Sequence, residues 1–417
     1  MMRALYAKSP EGLSWEEIAR EICAFADARG PMKKILLLPP DHTRLHSGAG
    51  RLTNILWHHL KDRCQVDILP ALGTHVPVTE AEMDDMFGDV PHDRFLVHNW
   101  RTDVMRIGTV PADFVAKVSE GAWTQEIPVE VNRRIMEGGY DWILSLGQVV
   151  PHEVVGMANY SKNLFVGCGG AGMISASHAM GAFYGLERMM GRDHSPVRQV
   201  FDYAQEHFLS HLPLDYALTV TVGFSVQGLF LGGGRAGFEK AVALSQEKNL
   251  NLVEPLKKVV VYLDPGEFKS TWLGNKAVYR TRMAIADGGE LFVLAPGVER
   301  FGEDPQVDAL IRKYGYRGRE YVIDCVEKNE DLRENMSAAA HLIHGSSDGR
   351  FTITYCTKFL TEEEVKGAGF KYMPYEEAER RFDPAGRKDG YDVTPSGEEI
   401  YWISNPALGL WADRNKF

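Results

Sequence analysis

The sequence predicts an α/β protein of two α/β domains with mainly parallel sheets, and three observations predict it. At 417 residues the chain exceeds the roughly 250 to 300 at which one hydrophobic core stops growing. Short apolar runs such as KILLL at 34–38 and VVVY at 259–262 alternate with segments whose apolar residues recur at helical spacing, the order of βαβ units. Hydrophobic residues at 44%, charged residues at 25%, Gly 41 and Pro 20 suit a loop-bearing α/β chain better than a helical bundle.

Taken in order, Trp15 to Ala28 repeat apolar positions at helical spacing behind the N-cap candidate Ser14. KKILLLPP reads as a strand with DHTR (41–44) at its end, residues 50–62 as a helix, and QVDILPAL as a second strand ending in GTH. Thr79 and Glu82 have the capping-box spacing that opens the next helix. RFLVHNW reads as a third strand, Thr102 to Ala122 as less regular, and Trp142 to Leu146 as a buried strand that delivers His152. From Ser195 to about Lys248 the pattern is mostly helical around one strand, ALTVTVGFSVQGLFLGGG. A second series then runs strand KKVVVYLDP, helix 271–287, strand GELFVLAPG, helix 304–314, strand YVIDC, a helix near 333–343, strand FTITYC and helix LTEEEVKGAG. The domain boundary is placed near Asn251, giving domains 1–250 and 251–417, with the tail from Tyr401 packing on a domain through Trp402 and Trp411.

Composition narrows the partners. The 46 basic and 57 acidic residues give a charge of −11, and no Lys/Arg-rich run could track a phosphate backbone, which argues against nucleic acid. An anionic metabolite must then be held by a few local cations. The five cysteines form no CxxC pair, so disulfides and thiolate zinc are not expected. The amino terminus lacks a signal-peptide core and no run reaches the ~18 apolar residues of a membrane span. A soluble, cytoplasmic protein without membrane association is expected.

The stretch Pro151 to Gly181 reads as a site. It carries His152, Lys162 and His178 at intervals of ten and sixteen, with several glycines. Asp41 and Arg44, then His75, then His152 each follow the carboxyl end of an apolar strand, the edge of a parallel sheet where ligands sit. Neutral imidazole is a proton acceptor near pH 7 or a metal ligand. His42, His46, His58, His59, His92 and His98 are read as structural. Lys162, flanked by apolar LFV, is either a desolvated nucleophilic amine or a snorkelling side chain. Arg44 is either a carboxylate clamp or a salt-bridge partner of Asp41. Gly167, Gly169, Gly170 and Gly172 offer backbone N–H groups to a phosphate, without Walker or GxGxxG spacing.

Together, DHTR at 41–44, GTH ending at His75, and His152, Lys162 and His178 at that spacing resemble the nickel-dependent lactate racemase family. The resemblance implies an isomerase, a racemase or C2 epimerase of 2-hydroxy acids, with its active site in the interdomain cleft. It implies a nickel pincer nucleotide, a pyridinium mononucleotide with sulfur substituents, joined to Lys162 through a thioamide, with His178 as nickel ligand. His75 and His152 correspond to the acid/base pair, Arg44 to the substrate-carboxylate arginine, Asp41 to the aspartate of the same motif, and Tyr279 to a cofactor-contacting tyrosine. Removing a proton beside a carboxylate would gather two negative charges, whereas removing hydride gives a planar 2-keto acid, and one histidine serves each face. Dedicated maturation enzymes are implied partners. Arg280 and Met283 stand where the family has glutamine and lysine, so Arg280, Arg282 or Lys276 is left to supply the substrate cation. Small residues in ENMSAAAHLIHG replace an expected aromatic, which implies a roomier pocket and an acid larger than lactate, such as a sugar acid. The alternatives are a zinc hydrolase built on His75, His152 and His178, or a non-catalytic hydroxy-acid-binding protein.

Overall fold

The computed structural model describes residues 2–417. They form two compact units, one from the chain up to Met180 and Met189–Asn249, the other from Gly181–Arg188 and Leu250–Phe417. The chain therefore crosses between units three times, where a single cut near Asn251 would cross once.

The first unit is built on strands β1 (Arg3–Tyr6), β2 (Lys34–Leu38), β3 (Gln65–Ile68), β4 (Trp142–Gln148), β5 (Leu214–Val222) and β6 (Ser225–Gly232). Their order in the sheet is β1-β6-β5-β4-β2-β3. β2 pairs in parallel with both β3 and β4, and β4 with β5. β6 turns back antiparallel on β5, and β1 is added antiparallel to β6. All seven residues of β4 are buried, as a central strand covered on both faces requires. Ile35, Leu37, Leu144 and Trp142 join Ile18, Leu52 and Leu56 from the helices in one core. From β2 the chain steps one way to β3, and β4 and β5 extend the sheet the other way. The reversal between β2 and β4 is a topological switch point, and the carboxyl ends of strands open a crevice there.

The second unit has β7 (Leu256–Tyr262), β8 (Ile285–Ala295), β9 (Thr352–Thr357), β10 (Lys371–Pro374), β11 (Gly390–Val393) and β12 (Glu399–Ile403). The order is β10-β9-β8-β7-β12-β11, parallel except for β11. The tail belongs to this unit: Leu410–Asp413 pairs in parallel with Leu250–Val253, and Trp402 and Trp411 are buried.

Several expected elements differ. YVIDC lies inside helix Arg319–Lys328, where Val322, Cys325 and Val326 face inward at helical spacing while Glu320, Asp324 and Glu327 face out. RFLVHNW is not a strand: Phe95 makes one isolated bridge to Ile68, and Leu96 N–H donates to the Ile68 carbonyl at 2.7 Å. ALTVTVGFSVQGLFLGGG is a hairpin, β5 and β6, turning at Gly223 with φ 55°. The region expected to be irregular holds strand Val104–Val110 and helix Ala112–Val118. Helix 271–287 is two short turns, Thr271–Gly274 and Lys276–Tyr279, before β8. All five cysteines are free, and no described helix is long and apolar enough to cross a membrane.

Candidate active site

Asp41 follows β2 and caps the 3-10 turn His42–Ser47, accepting the Thr43 N–H at 3.2 Å and its hydroxyl at 2.5 Å. Its other oxygen takes His75 Nδ1, from the loop after β3. Burial alone would raise the Asp41 pKa, but His75, Thr43 and the Arg44 charge hold it below its ordinary value. A carboxylate here obliges His75 to carry its proton on Nδ1, leaving the Nε2 lone pair on a side chain that is 55% exposed. Arg44 Nη1 donates to the Thr43 carbonyl at 3.3 Å. Among the described residues no ion pair joins it to Asp41.

His152 follows β4 in a two-residue ribbon, Pro151–His152 against Gly156–Met157. Here Nδ1 is an acceptor, for the Val154 N–H at 3.1 Å, so the neutral ring carries its proton on Nε2. The two histidines thus fit opposite neutral tautomers, His75 with a lone pair on Nε2 and His152 with a proton there.

Lys162 sits at the switch point. Its neighbour Asn163 donates from Nδ2 to the Leu38 carbonyl of β2 at 3.0 Å and to Ser145 Oγ of β4 at 2.9 Å. The turn before it is strained, with Asn159 at φ 63° and Tyr160 at φ 56°, a region costing about 1–2 kcal/mol per non-glycine residue. Gly147 in β4 has no side chain because a Cβ there would strike the Asn159 amide. After Lys162 the chain makes a π-turn, Asn163–Gly167, a geometry that gathers at functional sites. Protein atoms crowd the amine, and this desolvation, then the Arg44 charge, lowers its pKa to about 8, opposed by Glu153 and Asp41.

His178 lies on helix Ala171–Tyr184. Its Nδ1 donates to the Ile174 carbonyl at 2.7 Å, which frees Nε2 as a ligand nitrogen, the usual arrangement of a metal-binding imidazole. Desolvation lowers its pKa and so does the Lys162 charge, while the Ile174 hydrogen bond and Glu153 raise it. Arg44, Glu153, Asp41 and His178 therefore lie within electrostatic reach of Lys162, and Glu153 also within reach of His178, with His75 on Asp41.

The phosphate reading of the glycines is not supported. A Cβ on Gly169 would strike the Phe165 carbonyl and one on Gly170 the Glu130 carboxylate. Glu130 already accepts the Gly172 N–H at 3.0 Å. These glycines answer to close packing.

In the second unit Tyr279 ends the turn Lys276–Tyr279, 7% exposed and edge-on to His344 with ring centroids 6.4 Å apart. Arg280 is part-exposed, and Met283 is buried. Arg282 is committed to structure: it is 3% exposed, pairs with Glu187 at 2.9 Å and Asp348 at 2.6 Å, and donates to the Ser346 carbonyl. It is therefore removed as a substrate cation, which leaves Arg280 or Lys276. Ala338, Ala339 and Ala340 are buried in the hydrophobic core of this unit, so their small size serves packing and carries no argument for a roomy pocket.

The six histidines expected to be structural have ordinary polar partners. His42, His58, His59 and His92 make surface pairs with Asp85, Asp89, Asp27 and Asp84. His46 meets Gln148, and buried His98 bridges Asn132 and the Gly169 carbonyl. Among the described residues no three His, Cys, Asp or Glu side chains gather as a metal-holding group, so His75, His152 and His178 do not form a three-imidazole zinc site. Three contributors were missed from sequence: Glu153, Asn163 and Arg198. Only Glu153, a carboxylate adjoining His152, left a readable trace.

Residues 21–190 match the family model of the lactate racemase N-terminal domain. No curated protein matches the sequence. Among solved structures, a Thermotoga maritima protein from a structural genomics consortium shares 24% identity over 98% of this chain and 99% of its own, with a TM-score of 0.80. The lactate racemase apoprotein from Thermoanaerobacterium thermosaccharolyticum shares 18% identity over 96% of this chain and 93% of its own, with a TM-score of 0.72. The class is thus an α/β protein with mainly parallel sheets and the fold of these two structures. Within it residues 21–190 are similar to the lactate racemase N-terminal domain, and that segment holds Asp41, Arg44, His75, His152, Lys162 and His178.

Proposed function

We propose that this protein is an isomerase that inverts C2 of a 2-hydroxy acid, using a nickel pincer nucleotide attached at Lys162 with the metal on His178 Nε2. The observation that carries the reading is the pairing of an amine whose pKa is lowered to about 8 with a desolvated imidazole whose Nδ1 is tied to a carbonyl. That donor set fits the cofactor: an amine partly neutral near pH 8 would hold it through a thioamide, and His178 Nε2 would serve as a nitrogen ligand to its metal. When bound, the group supplies a hydride acceptor, which lets C2 pass through a planar keto form.

The chain's own residues do the rest. His75 Nε2 takes the hydroxyl proton, and the Asp41 carboxylate on Nδ1 stabilises the imidazolium that results. His152 returns a proton from its imidazolium form, whose charge Glu153, 4.0 Å from Nδ1, would balance, and the roles exchange for the opposite enantiomer. Arg44 clamps the substrate carboxylate while C2 changes shape. Tyr279 and Arg280 complete the proposed set, as cofactor and substrate contacts, and cofactor-building enzymes are the proposed partners. With the alanines assigned to packing, no described residue supports an acid larger than lactate, and the substrate is proposed only as a 2-hydroxy acid.

Intact mass tests the reading. Chain produced together with cofactor-building enzymes is expected to carry a nucleotide-sized adduct that Lys162→Ala abolishes; wild-type protein with the mass of the bare chain defeats it.

A further inference from the structure

Arg198, on helix Pro196–Ala204, is 0% exposed. Its nearest acid, Asp202, is reached through a hydroxyl: Arg198 Nη1 donates to Ser161 Oγ at 2.7 Å, and Ser161 Oγ donates to Asp202 Oδ1 at 3.1 Å. Nη2 donates to the Met157 carbonyl at 2.6 Å and to the Asn159 carbonyl at 3.1 Å. One guanidinium thus fastens three points of the turn between Met157 and Ser161, and Lys162 is the next residue.

Burying a cation is unfavourable unless its donors are used; here Nη1 and Nη2 are spent on main chain and one hydroxyl, while Nε is buried without a hydrogen-bond partner. The turn needs such a fastening because Asn159 and Tyr160 are both left-handed without being glycine, a conformation that persists only where its surroundings enforce it. The clamp is itself anchored. Arg198 lies over the Phe238 ring at 4.5 Å, and Asp202 pairs with Arg235, which holds Asp193 at 3.2 Å.

We infer that Arg198 is a positioning residue: its planar fork holds the strained Asn159–Tyr160 turn and thereby delivers the Lys162 amine to the place where it is joined to its partner. Lysine carries the charge but cannot span three acceptors, so Arg198→Lys does not substitute. The inference rests on the reading of Lys162 as an attachment point, and two measurements keep the two apart.

The first is hydrogen exchange of the cofactor-free chain. Arg198→Lys and Ser161→Ala are expected to speed exchange across residues 158–163 by about tenfold or more, with β2 and β4 unchanged; wild-type exchange in that segment overturns the inference whether or not any adduct exists. The second is intact mass after production with the cofactor-building enzymes, where both variants are expected to lose at least about four-fifths of the adduct while unfolding at near wild-type temperature. Equal loading of wild type and folded variant also overturns it. Absence of adduct from wild type counts against the proposed function and leaves the exchange result to decide. Should Arg198→Lys fail to fold, Ser161→Ala decides both measurements.

Discussion

Asp41 fixes the tautomer of His75, and a carboxamide cannot do the same work because it cannot balance an imidazolium. Asp41→Asn is expected to lower kcat by about 100-fold or more, with KM little changed, in steady-state turnover of the active 2-hydroxy acid. Lys162 carries a stability signature as well. Its folded pKa of about 8 lies below the unfolded value of about 10.4, so the unfolded chain binds more protons between those values and stability rises with pH across that window. Below pH 8 both states are protonated and the cost of the crowded charge is fully present. Lys162→Met in the cofactor-free chain is therefore expected to raise the urea midpoint at pH 7, with the gain fading towards pH 10. Lys162 and the three histidines could be named as candidates from the sequence because their side-chain chemistry and spacing are themselves the signal. Asn163 and Arg198 were not, since each acts by donating to main-chain carbonyls and hydroxyls that sequence does not juxtapose.

At the level of elements, strands buried on both faces, β2 and β4 above all, were readable as unbroken apolar runs. YVIDC misled because a β-branched and aromatic quintet looks like a strand until its flanks Glu320 and Glu327 reveal the 3.6-residue period. RFLVHNW misled because a run of strand formers needs a partner along its whole length, and only Phe95 has one. The glycine cluster was visible but its purpose was not. Gly169→Ala would drive a methyl into the Phe165 carbonyl at the end of the π-turn, so chemical denaturation is expected to show a loss of about 1–3 kcal/mol. An unchanged midpoint would return those glycines to a ligand-facing role.

Over the whole molecule, the parallel order of both sheets was readable from alternation, whereas the assignment of Gly181–Arg188 to the second unit was not. Eight residues have too little pattern to declare which core they join. Substrate size is likewise a property of the assembled protein. With Ala338 to Ala340 in the core, a panel of C2-deuterated 2-hydroxy acids of increasing length is the appropriate test: inversion with retention of deuterium is expected on at least one of them, and exchange of that deuterium with solvent would refute hydride transfer. The Asn163 carboxamide adds a further consequence. It rivets the ends of two neighbouring parallel strands, so Lys162 is referenced to the interstrand spacing of about 4.8 Å, a ruler common to all such sheets. One carboxamide therefore ties the loop that bears Lys162 to the reversal of strand order itself, so a change in the spacing of these two strands would move the amine with it.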